Sequence, residues 1–274
     1  RFGSRGPPIK RNEFENVIKK LQSCGYNNVN PEGIHMLRIM LKYNQEYSSI
    51  ANIRSEIQNI GNIQKYCKTN RLSTESMSFQ KKSNMKPDGV NKLMPYMNND
   101  YLFKVSLQVE ENIYNQSQLI QTKLLERWEQ IPKSFRHMNR LVFRHSDVTN
   151  PLVFHLTIVK SSEKDMRGEY VYEKNIRSVN LFEQSPTYEI EIEIDNSIVS
   201  RQMITSEKLA AQMRTGIKHV LSGLQNTNYP VPYKQLTSIK REYLSLVGID
   251  KDATSIVSKD FIGPSSITLQ MHNI

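Results

Sequence analysis

The sequence has little cysteine and no long run of apolar residues. Its two cysteines, Cys24 and Cys67, are too few for a disulfide framework, which favours a reducing, intracellular compartment. No apolar run approaches the roughly 18 residues of a membrane-spanning segment, and no stretch has the pattern of a signal peptide. A glycine-rich phosphate loop of the Walker type is missing as well. These absences argue against a membrane protein, a disulfide-rich secreted domain and a P-loop nucleotide hydrolase.

The chain carries a surplus of positive charge. Its 274 residues are enough for one large domain or two small ones, and 38% of them are hydrophobic, so a substantial core can form. The formal net charge is +10 at pH 7. A surplus of this size favours polyanionic partners such as RNA, DNA or nucleotide phosphates, without deciding between them.

The clearest pattern is an alternation over residues 188–195. Tyr188 and three isoleucines alternate with acidic residues, and a period of two with β-branched side chains predicts a strand. Same-face neighbours on a strand lie roughly 6.5–7 Å apart, so like charges repel along the acidic face. This face comprises Glu189, Glu191, Glu193 and Asp195. Two interpretations remain open: an ordinary exposed strand, or a carboxylate row that faces a divalent metal, basic side chains, or both.

Three further stretches predict strands, over residues 104–110, 135–144 and 152–160. The first places Lys104 and Glu110 on one face, and the second places Arg136 and Arg140 on one face. Acidic, mixed and basic faces compensate one another's charge only if they meet. We therefore expect a closed antiparallel β-barrel with a polar interior and with its apolar faces turned outward under helices.

The remaining patterns complete an α+β fold class. Helical periodicity predicts helices that cover the barrel near 12–24, 206–224 and 233–247. Less regular patterns favour strands over 34–43 and 50–60, joined by a turn at 44–49, and then a short helix over 60–70. Residues 71–100 are polar and contain two prolines, which predicts a loop with at most short strands.

Several short stretches, which together span nearly the whole chain, carry a family resemblance. They are Arg1-Phe2-Gly3 with the helix that contains Phe14, Ile63 to Asn70, Lys104-x-Ser106 with Glu110, Phe135-Arg136 with Asn139-Arg140, Leu156 to Ser162, Tyr188 to Asp195, and Phe261 to Pro264. In order and combination they resemble the metal-dependent RNA 5′-triphosphatases with a triphosphate-tunnel fold. More closely, the chain is similar to the N-terminal triphosphatase domain of the mRNA-capping enzymes of large cytoplasmic DNA viruses.

The resemblance implies a role for each matched residue. Glu193 would be a direct ligand of Mg²⁺ or Mn²⁺, and Glu189 and Glu191 would complete the metal site by holding metal-bound water or basic side chains. Glu110 would orient the attacking water and would be catalytic together with Glu191. The phosphate-binding residues would be Lys104, Arg136, Arg140 and, less centrally, Lys160.

Three departures from the family pattern bear on activity. The family's first strand carries a Glu-x-Glu pair just before the position of Arg1, outside this sequence, and its basic strand has a lysine where Met138 stands. His155 stands where the family has an acidic residue, and a histidine cannot supply a fixed negative charge. We therefore expect the chain as given to fold but to have weak activity or none.

The resemblance also implies a function and its setting. The expected reaction is hydrolysis of the γ-phosphate of triphosphate-ended RNA, the first step of mRNA cap formation. One alternative is a catalytically impaired tunnel that binds RNA ends or docks other capping domains, and another is hydrolysis of inorganic tripolyphosphate or free nucleoside triphosphates. Residues 1–250 would form the triphosphatase domain, with its first strand truncated, and residues 251–274 a linker toward a guanylyltransferase domain.

The expected partners follow from the same family. They are the 5′-triphosphate end of RNA, nucleoside triphosphates, and the guanylyltransferase and methyltransferase domains of the same chain or complex. No membrane partner is expected. The expected location is the cytoplasm, in the viral factory of an infected cell, or the virion.

Overall fold

The computed structural model describes residues 1–3, 6–42, 50, 53–72, 76–86, 93–249 and 252. The chain divides into two compact units, residues 1–230 and residues 231–274. The expected turn at 44–49 and the motif Phe261–Pro264 lie outside the described residues, as does the expected 251–274 linker apart from Asp252. Among the residues that are described, no helix is both long enough and apolar enough to cross a membrane.

The first unit is built on antiparallel strands. In the described part of the chain they are β1 (Tyr26–Asn28), β2 (Ile34–Leu41), β3 (Ile53–Gln58), β4 (Met77–Asn84), β5 (Tyr96–Asn98), β6 (Phe103–Val105), β7 (Gln108–Ile113), β8 (Lys133–His145), β9 (Leu152–Ser161) and β10 (Thr187–Ile194). An eight-stranded sheet has the order β10-β9-β8-β2-β3-β4-β7, with β1 paired to β8. It is strongly curled and forms a half-barrel. Strands β5 and β6 form a separate two-stranded sheet.

Helices complete a mixed α+β fold. The first unit contains α1 (Arg11–Ser23), α2 (Ile60–Thr69), α3 (Asn196–Arg201) and α4 (Ser206–Gln225), together with a π-helical segment (Leu119–Leu125) and a 3₁₀ turn (Ile176–Val179). The second unit contains α5 (Tyr233–Val247), which ends at Gly248 in a left-handed conformation with φ of 67°. Sequence periodicity therefore predicted helices α1, α2, α4 and α5 correctly, because each has an apolar stripe and a recognisable end.

One core lies between helices α1 and α4 and strands β8 to β10. Phe14 and Val17 of α1 pack there with Phe154 and Ile190 of the sheet. The two helices approach closely at Gly223, where a Cβ atom would lie 2.6 Å from the Cα of Val17. A side chain at this position would push the helices apart, so only glycine fits.

A second core covers the other half of the same sheet face. It joins side chains of β2, β3, β4 and β8 to side chains of α2, the π-helical segment and the 3₁₀ turn. Phe79 and Phe135 from the strands are fully buried in it, together with Ile63 of α2 and Ile120 of the π-helical segment. Side chains alternate across a strand, so both cores occupy the convex face and the charged positions of the same strands occupy the concave face.

Two expectations about the strands were wrong in part. Residues 71–100 contain an eight-residue strand, β4, where a loop was expected. The sequence pattern does not indicate this strand, because only Met77 and Phe79 reach the core and its other residues are polar. The single strand expected over 104–110 is interrupted at Ser106 and Leu107. Its apolar row is 42–54% exposed and joins neither core; the row comprises Val105, Leu107 and Val109. The strands expected over 34–43 and 50–60 are confirmed as β2 and β3.

The first residues of the chain join two strands that are far apart in sequence. Phe2 forms antiparallel bridges to Ile190 of β10 and to Phe103 of β6. The Lys104 amide donates to the Arg1 carbonyl oxygen at 3.0 Å, and the Arg1 nitrogen donates to the Lys104 carbonyl oxygen at 2.9 Å. Phe2 thus lies between β6 and β10. Strand β7 begins two residues after β6 and pairs with β4.

Candidate metal and phosphate site

Strand register brings the expected acidic and basic positions to one face. In the ladders of β8, β9 and β10, Arg140 is opposite Thr157 and Thr157 is opposite Glu189. Glu191 is opposite His155 in the same way. Directly opposite residues of antiparallel strands share a face, so these side chains all line the concave face.

Glu189 is held by two arginines. One of its carboxylate oxygens lies 2.8 Å from the guanidinium of Arg1 and 2.8 Å from that of Arg136. The side chains of Arg136 and Glu189 are only 13% and 18% exposed. Short, charge-assisted contacts of this kind fix both partners, and the contact puts the side chains of Arg136 and Glu189 on one face of the sheet.

Glu191 has looser ion pairs than Glu189. Its two carboxylate oxygens lie 3.6 Å from Arg1 and 3.5 Å from Arg140. The Nε of Arg140 donates to the hydroxyl of Thr157 at 3.3 Å. Glu191 is therefore placed among cations but keeps acceptor capacity for a further ligand.

Glu193 lies beside a histidine. The Nδ1 atom of His155 is 3.4 Å from a carboxylate oxygen of Glu193. The nearby imidazole, and then the charges of Arg140 and Lys82, hold the pKa of Glu193 below its ordinary value, although burial acts in the opposite direction. Glu193 is thus ionised at neutral pH.

These side chains form a group with the dimensions of a metal site. One ligand atom each from His155, Glu191 and Glu193 lie within 4.8 Å of one another. Carboxylates and imidazole are both common ligands of divalent metals. Among the described residues this is the group that could hold such an ion, and Glu189 is not in it.

The opposite half of the concave face carries charges that the sequence did not predict. Arg38 of β2 contacts Glu56 of β3 at 2.5 Å, and Arg38 is directly opposite Arg136 in the ladder of β2 and β8. Arg54 of β3 has a lowered pKa because it is buried and lies near the guanidinium of Arg38. Basic charge therefore continues from Arg136 across two more strands.

Glu110 has a lysine partner on the neighbouring strand. The two residues are directly opposite one another in the ladder of β4 and β7, and the Lys82 ammonium lies 2.6 Å from the Glu110 carboxylate. The Glu110 side chain is 51% exposed, so water reaches it. The electrostatic effect of Lys82 on Glu193 places this pair within range of the acidic strand.

Lys104 lies on the same face as Arg1. Phe2 and Phe103 are buried in the core on the convex side, and their rings lie 5.5 Å apart. Because neighbouring residues of a strand point to opposite faces, Arg1 and Lys104 point to the concave side. The structure thus brings Lys104 to the same face as Arg136 and Arg140.

Lys160 is not brought to the concave face. It is directly opposite His137, one position out of phase with Arg136, and its Nζ atom donates to the carbonyl oxygen of Phe182. It therefore lies on the convex face, and the structure does not place it with the other expected phosphate-binding residues.

An apolar row crosses the concave face between the charged positions. Met138 is only 1% exposed and packs with Met36, Val159 and Ile34. Met36 is directly opposite Met138, and Met138 is directly opposite Val159. Met138 is thus matched by apolar neighbours on both adjacent strands.

Three buried nitrogen atoms on this face lack a hydrogen-bond partner within the described residues. They are the Nε atoms of Arg1 and Arg136 and the Nδ1 atom of His155. The Arg1 and His155 atoms face the carboxylates of Glu191 and Glu193 at 3.6 Å and 3.4 Å without a hydrogen bond. Buried polar atoms in proteins are nearly always satisfied, by protein, water or a ligand. The two guanidinium donors suit an anion, and the imidazole nitrogen suits a metal ion.

Comparisons with protein-family models, with curated proteins and with solved structures find no match to this chain.

Proposed function

We propose that this chain is an RNA 5′-triphosphatase domain that removes the γ-phosphate from triphosphate-ended RNA with a divalent metal. The observation that carries the proposal is the concave face itself, where the carboxylate row of β10 meets arginines at 2.8–3.6 Å. A triphosphate and a metal ion require both signs of charge at this spacing. An exposed acidic strand would require neither.

The proposal includes a closed barrel. Strand β10 is one end of the strand order and β7 is the other. Phe2 bridges β10 to β6, and β6 continues into β7 after two residues. A ring that runs through residues 1–2 and 103–113 would close the half-barrel into a tunnel and leave no free sheet edge.

The carboxylates have different duties in this proposal. Glu189 is already engaged by two arginines and would orient them. Glu191 and Glu193 have longer contacts and would hold Mg²⁺ or Mn²⁺. When bound, the ion would neutralise phosphate oxygens and make the diphosphate-ended RNA a better leaving group.

The phosphate groups would lie against the basic side chains. Arg136 and Arg1 each have a buried Nε atom without a hydrogen bond, and Arg140 lies beside Glu191. Arg38 and Arg54 extend this positive charge. They would take the place of the lysine that the resembled family has at the position of Met138. Bidentate guanidinium groups suit phosphate oxygens and stabilise charge that develops during phosphoryl transfer.

Glu110 would position the attacking water. Its carboxylate is accessible and is fixed by Lys82 at 2.6 Å. It would accept a proton as the water oxygen bonds to the γ-phosphorus and the bond to the bridging oxygen breaks, with the electron pair leaving on the RNA diphosphate. Nucleoside triphosphates present the same phosphate chain and would be poorer substrates of the same site.

The setting of this activity is also a proposal. By the family resemblance, the product would pass to a guanylyltransferase domain and then to a methyltransferase domain, in the cytoplasm of an infected cell or in the virion. The basic net charge of the chain agrees with an RNA partner.

A second function is favoured by one observation. Met138 is buried in an apolar row where the family has a phosphate-binding lysine. A tunnel with this apolar row would bind the 5′ end of an RNA without hydrolysing its triphosphate. Binding and phosphate release must therefore be measured separately.

The deciding experiment uses RNA labelled in its γ-phosphate. Phosphate release is measured with Mg²⁺, with Mn²⁺ and with chelator, on this chain and on the longest natural chain that contains it. We expect release that requires metal, and slower release from this chain. Release in chelator would contradict the mechanism, whereas tight binding of triphosphate-ended RNA without release in either chain would establish the binding module.

A further inference from the structure

We propose that His155 is a direct nitrogen ligand of the metal, so that the site binds borderline cations in preference to Mg²⁺. The inference rests on the metal site of the proposed function. It goes further because it gives His155 a direct role and states a consequence for metal selectivity.

Geometry places the imidazole among the carboxylates. His155 is directly opposite Glu191 in the ladder of β9 and β10, and its Nδ1 atom is 3.4 Å from Glu193. The three candidate ligand atoms lie within 4.8 Å of one another. Ligand atoms around one cation are separated by distances of this order, because each lies roughly 2.0–2.2 Å from the ion.

The state of the Nδ1 atom also indicates a ligand. It is buried, and it has no hydrogen bond within the described part of the chain. The side chain as a whole is 15% exposed. A buried ring nitrogen that lies 3.4 Å from a carboxylate, without a well-formed hydrogen bond to it, is placed to share a cation with that carboxylate.

This ligand set has one fewer negative charge than three carboxylates. Mg²⁺ prefers oxygen ligands, whereas imidazole favours transition metals such as Co²⁺, Ni²⁺ and Zn²⁺. Replacing a carboxylate by His155 therefore weakens Mg²⁺ binding and preserves Co²⁺ binding. Selectivity is a property of the protein alone and can be measured without RNA.

The first test is spectroscopic. Mn²⁺ is bound to tag-free protein, and pulsed electron paramagnetic resonance records coupling to nitrogen. We expect a ¹⁴N coupling that changes to ¹⁵N when histidine alone is labelled, and that disappears in His155→Gln. The labelled wild-type protein answers the question even where the variant folds poorly.

A matched control replaces one histidine of a different pair. On the convex face the ring nitrogens of His35 and His137 lie 3.4 Å apart, and a stray ion there would also couple to nitrogen. His137→Gln should keep the signal. Loss of the signal in His137→Gln and its survival in His155→Gln would contradict the inference.

The second test measures selectivity. Dissociation constants for Co²⁺ and Mg²⁺ are obtained by calorimetry for the wild-type protein and for His155→Asp. The aspartate restores the third carboxylate, so the ratio of Mg²⁺ to Co²⁺ dissociation constants should fall about tenfold. An unchanged ratio would overturn the inference.

The outcomes separate this inference from the proposed function. Histidine coupling without phosphate release would support His155 as a metal ligand and contradict the proposed triphosphatase activity. Metal-dependent phosphate release without histidine coupling would keep the triphosphatase and remove His155 from the metal.

Discussion

The two faces of one curled sheet use the same strands for different purposes. On the convex face, side chains such as Phe135 and Phe154 are fully buried under helices. On the concave face, carboxylates and guanidinium groups are partly buried and neutralise one another at 2.5–3.6 Å. The convex face depends on the volumes of the side chains that fill the cores. The concave face depends on strand register, because a one-residue slip would move its charged side chains to the other face.

The difference teaches where each kind of substitution should act. A truncated side chain on the convex face leaves a cavity and costs stability. A truncated charge on the concave face leaves its partners unpaired and, under the proposed function, removes a metal ligand or a phosphate contact. Substitutions on each face therefore test this separation.

Replacing Glu193 should remove the metal from the concave face. Glu193→Ala should lower metal-dependent phosphate release about 10²–10³-fold or more, the scale of a lost electrostatic group at a reaction centre. Its melting temperature should stay near that of the wild-type protein. Full activity in Glu193→Ala, measured by phosphate release on triphosphate-ended RNA, would disprove the assignment of the acidic strand.

Replacing Phe154 should damage the convex face alone. Its ring is fully buried and lies 4.7 Å from that of Tyr26. Phe154→Ala should lower the free energy of unfolding by about 3–5 kcal/mol in denaturant titrations. Tyr229→Ala is the control, because Tyr229 is 82% exposed. A Phe154→Ala protein that is fully folded but has lost metal affinity would break the separation of the faces.

Replacing Arg140 should displace the substrate phosphates. Arg140→Ala should lower phosphate release by about 10²-fold. The control is Arg144→Ala on the same strand and face, because Arg144 is 43% exposed and is paired with Asp195 at 2.9 Å. Equal losses in the two variants would show that general positive charge, and not the position of Arg140, supports the reaction.

Replacing Glu110 should slow attack by water without removing the metal. Glu110→Gln should lower phosphate release about tenfold to 10²-fold and leave the Mn²⁺ dissociation constant unchanged. Glu111→Gln is a close control, since Glu111 is the next residue on the strand and points to the other face. A loss in Glu111→Gln that matches the loss in Glu110→Gln would place the reacting face on the wrong side of β7.

A buried lysine on the convex side makes stability depend on pH. Lys133 is fully buried and donates to the carbonyl oxygens of Trp128 and Ile131, and burial lowers its pKa to about 8. Between about pH 8 and the ordinary lysine pKa of 10.5, the unfolded chain binds this proton and the folded chain does not. The contribution of Lys133 to stability should therefore rise with pH in this window.

The measurement is the free energy of unfolding at pH 7 and pH 10. Lys133→Met should be destabilised at both values, because two buried carbonyl groups lose their donor. The deficit relative to the wild-type protein should be larger at pH 10. A deficit that shrinks with pH would mean that the charged ammonium, and not the neutral amine, is preferred in the folded protein.

The sequence predicted the acidic strand because its alternation is strict, and it predicted Arg136 and Arg140 for the same reason. It missed Arg54 because Ser55, which is completely buried on the convex face, interrupts the apolar pattern of β3. It missed Lys82 because β4 sends only two side chains into the core and otherwise reads as a polar loop. Local pattern is thus informative only where burial follows the alternation.

The proximity of His155 to the carboxylates could not be predicted from local pattern. It depends on the pairing of β9 with β10, which sets His155 opposite Glu191. The histidine was expected to weaken the site, since it has no fixed negative charge. Register changes this interpretation, because only the pairing shows that the imidazole and two carboxylates share one small volume.

The position of Phe2 between β6 and β10 has a consequence for biosynthesis. Phe2 is translated well before Ile190, yet its amide donates to the carbonyl oxygen of Ile190. At typical elongation rates the wait is roughly 10–40 s. The backbone at Phe2 must therefore stay unpaired with β10 while the intervening strands are translated, so this segment is a natural point of chaperone contact.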